Sequence, residues 1–171
     1  MSQDNVLCAP MKGNAAEKEA YRVLFVCTGN TCRSPMAAAL LFDMITREGE
    51  NAPFAVASAG LYAQDGAPIT PNAVLALEAA GVRETPQNTY TAHRARTVSE
   101  DMMAAADEVV AISGGHAMEL MMRYPAYAAK ITALPIDITD PFGGDVAVYR
   151  DCLDMLACAI RLKWFVGEGN A

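Results

Sequence analysis

A thiol and a guanidinium close the two ends of Cys27-Thr28-Gly29-Asn30-Thr31-Cys32-Arg33, and Ser34-Pro35 follows directly. That pairing suits chemistry on an oxyanion. An arginine presents a planar fork that matches two phosphate oxygens, and a cysteine thiolate facing a bound phosphoryl group is a nucleophile for phosphoryl transfer. A thiol gains thiolate character at a helix N-terminus and beside a guanidinium. The residues between are those a tight anion loop needs. Gly29 permits turns that other residues resist, and Asn30 tolerates left-handed geometry while its amide can brace the loop. Ser34 can cap a helix or bond the Cys27 sulfur, and Pro35 suits a first helical position.

Positioning such a loop takes a strand before it and a helix after it. Tyr21 to Val26 is apolar on both faces, as a buried parallel strand is, and the run stops at Cys27. From Pro35 to about Arg47 the apolar residues Met36, Leu40, Leu41, Met44 and Ile45 recur at helical spacing, with Gly49 as a stop. Loop N–H groups and the first unbonded N–H groups of the helix then point at one spot. The helix dipole adds positive potential there.

The rest of the chain alternates strand and helix. Phe54 to Ala59 is expected as a strand ending at Gly60, and Thr70-Pro71 opens a helix through Ala73, Val74, Leu77, Ala80 and Val82, which Gly81 helps to end. Ser99 caps a third helix, with Met102, Met103 and Ala106 facing inward, and Val109 to Ile112 is a short strand. Gly114-Gly115 turns into a helix closed by Pro125, Ile131 to Ile136 is the last strand, and Val146 to about Phe165 the longest helix. This order implies an α/β domain, a doubly wound four-stranded parallel sheet with helices on both faces. Residues 1–20 lack a period and are expected as a flexible tail before a single domain over 21–171. In such sheets ligands bind beyond the carboxyl ends of strands. Cys27 and Asp140 both follow strand ends, so one sheet edge gathers them.

Transfer to Cys27 also needs an acid for the leaving group, and Asp137 and Asp140 are the local candidates. Asp140 precedes Pro141, and Gly143-Gly144 lets that loop fold close over a substrate. Local sequence leaves Asp140 equally readable as a turn former. Tyr62 is either a wall of the site or a surface residue. Cys32 is either a small buried residue or a redox partner for Cys27. Cys152 and Cys158 fall on different faces of the last helix, and Cys8 lies in the tail.

Cys27-Thr-Gly-Asn-Thr-Cys-Arg-Ser-Pro35 resembles the phosphate-binding loop of the low-molecular-weight protein tyrosine phosphatase family, and Thr31 makes it most similar to the bacterial protein arginine phosphatase branch. His93-Arg94-Ala95-Arg96 resembles the family's His-x-Ala-Arg segment, and Asp140-Pro141-Phe142-Gly143-Gly144 its general-acid loop. The likeness runs from about Tyr21 to Val166. It implies Cys27 as nucleophile, Arg33 as phosphate ligand, Asp140 as general acid, a phosphate loop of Thr28, Gly29, Asn30, Thr31, Cys32, Arg33 and Ser34, and His93 as a brace on Asn30. Asp137 is then structural. Arg96 is expected to pair with a carboxylate, Arg94 to lie on the surface, and His116 to be solvated.

The resemblance implies a cysteine-dependent phosphatase acting on phosphorylated proteins, on phosphoarginine first and phosphotyrosine as the alternative. Thioredoxin-linked arsenate reductases share the loop but carry Gln where Pro35 stands and need further cysteines in the middle region. Between Cys32 and Cys152 there are none. A silent phosphoprotein-binding module would not need both Cys27 and Asp140. No metal or organic cofactor is implied, because the loop and Arg33 already neutralise phosphate charge. A net charge of -7 argues against nucleic-acid or anionic-membrane partners, and no apolar run approaches a membrane span. The odd count of five cysteines, without zinc-ligand spacing, suggests reduced thiols in the cytoplasm.

Overall fold

A computed structural model describes residues 20–49 and 53–166. The expectations for the tail, including Cys8, lie outside the described residues apart from Ala20. β1 (Tyr21–Cys27) leads through the Cys27 loop into α1 (Arg33–Glu48), which Gly49 ends in the left-handed conformation at φ 68°. Next come β2 (Phe54–Gly60), α2 (Pro71–Ala79), α3 (Glu100–Ala105), β3 (Glu108–Ala111), α4 (Gly114–Arg123), β4 (Ile131–Ala133) and α5 (Val146–Ile160). The four strands are all parallel, in the order β2-β1-β3-β4.

Alternate residues of β1 feed opposite faces of the sheet, because side chains in a strand alternate. Val23, Phe25 and Cys27 pack with α1, α2 and α5, where Phe25 meets Trp164 edge-on with ring centroids 5.8 Å apart. Leu24 and Val26 pack with Met103 of α3 and Ala117 and Leu120 of α4. The expected two-faced architecture is therefore present. Strand order reverses at β1, so the crevice beyond its carboxyl end is the place where an open α/β sheet binds a ligand.

Several boundaries move for local reasons. β4 stops at Ala133 rather than Ile136, since Pro135 has no N–H to continue a ladder. α1 begins at Arg33, so Ser34 is a helical residue and not its cap. α2 ends at Ala79, and Val82 lies beyond the helix but still fills the core. α5 gives way to a wider π turn over Arg161–Phe165, so that α1 is the longer α-helix. Ser99 caps α3 as expected, accepting the Met102 N–H.

Candidate active site

The Cys27–Arg33 loop is organised around Asn30, which is fully buried and, among the described residues, the one non-glycine with positive φ, at 57°. Its side chain uses every polar atom. Nδ2 donates to Ser34 Oγ and to Ser58 Oγ, each at 2.9 Å, and Oδ1 accepts the Arg96 N–H at 3.0 Å. His93 Nε2 lies 2.8 Å from the Asn30 carbonyl, which can only accept, so that nitrogen carries the proton. Burial pushes the His93 pKa below its ordinary value, which keeps the ring neutral in this role. The strain of a left-handed asparagine is offset by this satisfied buried network.

Gly60 of β2 lets the loop come close. A Cβ there would stand 2.6 Å from the Thr28 carbonyl oxygen, so only glycine leaves room for the loop's first turn. The Cys27 and Thr28 carbonyls accept the N–H groups of Leu61 and Tyr62 at 2.8 and 2.9 Å.

Cys27 Sγ sits at the floor of the loop, 2.9 Å from Ser34 Oγ and 3.4 Å from the Asn30 N–H that donates to it. The Ser34 hydroxyl accepts from Asn30 and has the Ala59 carbonyl at 3.3 Å as a second acceptor, and its hydrogen can turn from there toward a sulfur that bears negative charge. Arg33 is buried. One arm donates to the Ile138 carbonyl at 3.1 Å and the other meets Asp140 Oδ2 at 3.2 Å. Cys27, Thr28, Asn30, Arg33, Asp140 and Phe142 line one cavity of about 220 Å³ with the rest of the loop. Sequence-distant groups thus meet where the reversal of strand order placed them. A larger recess of about 300 Å³ beside His93 and Arg96 holds neither Cys27 nor Asp140.

Asp140 is half exposed, and its Oδ1 accepts the Phe142 N–H at 3.1 Å. Its loop closes through a Gly144 N–H to Pro141 carbonyl bond of 2.9 Å and is tied to α2 by Asn72 Nδ2, which donates to the Gly144 carbonyl at 3.1 Å. Asp137 faces elsewhere. Its Oδ1 accepts the Gly114 N–H at 3.0 Å, at the start of α4, a structural role. Among the described residues no group of three or more His, Cys, Asp or Glu side chains is placed to hold a metal ion.

The sequence and the fold are similar to those of known proteins. Residues 22–165 match the family model described as low molecular weight phosphotyrosine protein phosphatase. The chain belongs to that family. It is 37% identical over 148 residues to a protein-arginine-phosphatase of Geobacillus stearothermophilus, covering 82% of this chain and 91% of that protein. A protein-arginine-phosphatase of Bacillus subtilis is 35% identical over 146 residues, 81% of this chain and 91% of its own length. The crystal structure of a YwlE mutant from Bacillus subtilis superposes with a TM-score of 0.73 at 34% identity, over 83% of this chain and 95% of that one.

Within this family member two expectations need correction, and an open one is decided. Among the described residues Arg96 pairs with no carboxylate; its Nε donates to the Ser58 carbonyl at 3.1 Å, because the loop network leaves a backbone acceptor there. His116 is not solvated but half-buried, with Nε2 at 2.9 Å from Thr28 Oγ1 and Nδ1 at 2.7 Å from Ser113 Oγ. Tyr62 takes the surface reading, for it is largely exposed and donates to Glu119 beneath the Arg123 guanidinium.

Cys32 is buried and free, with Sγ 3.2 Å from the Tyr149 hydroxyl. Cys152 is buried, and burial pushes its thiol up to about 12, while Cys158 is exposed. Three contributors escaped sequence reasoning: Ser58, Tyr149 and Asn72. Only Ser58 left a signal, as the lone polar residue in the otherwise apolar run of β2.

Proposed function

We propose that this enzyme is a cysteine-dependent protein phosphatase that hydrolyses phosphoarginine in proteins through a phosphocysteine intermediate. The observation that carries the reading is the single cavity walled by the Cys27 sulfur, the Arg33 fork and the Asp140 carboxyl. Loop N–H groups at the start of α1 and the Arg33 guanidinium would hold three phosphoryl oxygens, which leaves the fourth bond of phosphorus in line with the sulfur.

An entering phosphoryl group competes with Asp140 for Arg33. Once released, the Asp140 carboxyl faces the leaving atom and protonates it as the sulfur–phosphorus bond forms and the phosphorus–nitrogen bond breaks. Asp140 then takes a proton from water, whose oxygen displaces Cys27 and gives inorganic phosphate. A solved relative described as a YwlE arginine phosphatase mutant with a phosphorylated active site serine, 33% identical with a TM-score of 0.73, supports a covalent phosphoenzyme.

The substrate class rests on the two protein-arginine-phosphatases above and on Thr31, which is half-buried in the cavity wall. A threonine hydroxyl can hold a polar leaving group where an aliphatic side chain cannot. The exposed Phe142 ring at the same mouth favours phosphotyrosine as the second reading, because it can stack on a phenol. No described helix is long and apolar enough to cross a membrane, and four free cysteines among the described residues fit a reducing compartment such as the cytoplasm. The test is steady-state turnover of phosphoarginine and phosphotyrosine peptides side by side. A higher kcat/KM on phosphoarginine is expected, and preference for phosphotyrosine would install the second reading.

A further inference from the structure

Thr28 follows the Cys27 nucleophile directly, lines the cavity and exposes its side chain. Its backbone is held by the Tyr62 N–H, and its hydroxyl by His116 of α4. The loop mechanism above uses neither side chain.

Ser113 Oγ caps α4 by accepting the His116 backbone N–H at 3.4 Å, and the same oxygen lies 2.7 Å from His116 Nδ1. With that oxygen already accepting a backbone N–H, the geometry lets Ser113 give its own hydrogen to Nδ1, which places the ring proton on Nε2. Burial first, and then Arg33, push the His116 pKa down and favour this neutral ring, against the raising effect of Glu119, Asp140 and Asp137. In that tautomer the Nε2–H donates to Thr28 Oγ1, 2.9 Å away. That hydroxyl keeps one lone pair and its own hydrogen for the cavity.

We propose that His116 is a positioning residue that holds the Thr28 hydroxyl at the cavity mouth, where Thr28 accepts an N–H of the guanidinium leaving group and so selects phosphoarginine over phosphotyrosine. The assignment rests on the phosphatase reading above. A guanidinium stripped of water needs acceptors for its N–H groups, and a phenol ring offers no such donor beside Thr28. A site built to bond an N–H discriminates against an analogue lacking it, because its own polar group then loses a partner. If the pair merely fastened α4 to the loop, its loss would harm both substrates alike.

The experiment measures kcat and KM on phosphoarginine and phosphotyrosine peptides for wild type, Thr28→Val, His116→Phe and the double variant. Each single variant should lose about tenfold or more in kcat/KM on phosphoarginine and no more than about threefold on phosphotyrosine. The double variant should lose no more than Thr28→Val alone, since His116 acts through Thr28. His116→Gln, which can offer an amide N–H, should recover part of the loss seen with His116→Phe. Nitrogen-15 NMR of wild type should find the His116 proton on Nε2.

Equal losses on both substrates, additive losses in the double variant, or a proton on Nδ1 would overturn this assignment while leaving the phosphatase reading intact. A wild type that turns over only phosphotyrosine would overturn the assignment together with the substrate class. Turnover of neither would overturn the phosphatase reading and this inference with it. Thr28→Val exchanges a hydroxyl for a methyl at an exposed position, so it keeps the ratio test available should His116→Phe fail to fold.

Discussion

The loop from Cys27 to Arg33 and the loop from Thr139 to Asp145 face each other across one cavity, but the first is buried and cross-linked whereas the second is exposed and held by few bonds. In the first, Cys27, Asn30, Cys32 and Arg33 are all buried, and Asn30 bonds to Ser34, Ser58 and Arg96 at once. In the second, the Asp140 side chain is 52% exposed and Phe142 is 73% exposed. Asn72 supplies its tie to α2. The phosphoryl group is common to every substrate and the leaving group varies. Donors for developing charge act best when fixed beforehand, while a segment that must admit and release different groups acts best when it can move.

The largest expected effect tests the fixed side. Cys27→Ser should lower kcat by at least about a thousandfold without loss of the folded state, because a serine hydroxyl stays protonated where a thiolate is required. Near-normal turnover in the purified variant would remove Cys27 from its role. Asp140→Asn tests the exposed side, with an expected drop of about a hundredfold in kcat and substrate binding retained. Should kcat hold at neutral pH, Asp137 becomes the candidate acid.

Two asparagines sharpen the contrast. Asn30→Ala removes three side-chain hydrogen bonds and puts a Cβ-bearing residue without local compensation at φ 57°, so stability should fall by about 3 kcal/mol in denaturant unfolding. Asn72→Ala should leave the unfolding midpoint nearly unchanged and lower kcat severalfold, since it frees only the acid loop. A large stability loss from Asn72→Ala would show the two loops to be equally integral to the fold.

Thr31→Ile should lower kcat/KM on phosphoarginine more than on phosphotyrosine, by about 1 to 3 kcal/mol in the ratio. An unchanged ratio would leave Thr31 as a packing residue and weaken the phosphoarginine reading.

The smallest effect concerns pH. The His93 pKa is lowered in the fold by burial from an ordinary 6.5, so the stability linked to its neutral ring is present in full above the unfolded value. That contribution is lost as pH falls through the lower folded value. Unfolding of wild type and His93→Gln between about pH 7 and pH 5 should show a steeper decline in wild type. Parallel curves would mean that His93 titrates alike in both states.

How much of this was readable before the fold depends on the range of the interactions. The strand, loop and helix from Tyr21 to Glu48 are local in sequence, and Gly29, Asn30, Ser34 and Pro35 each carry a backbone preference that the residue type itself dictates. The order of strands and helices likewise followed from hydrophobic periodicity. Boundaries were less faithful where one residue decided them, as Pro135 did at the end of β4.

Sequence by itself therefore determined the anion loop, its thiol and guanidinium, and the alternation that makes a parallel sheet. Tertiary structure alone decided which distant side chains complete the site. Arg96 turned to a carbonyl instead of a carboxylate, His116 reached Thr28, Tyr149 met Cys32, and Asn72 anchored the acid loop. Each is a contact between residues far apart along the chain. A side chain's own type states what it can donate or accept, but the partner is supplied by the packing of helices on the sheet, which no local pattern records.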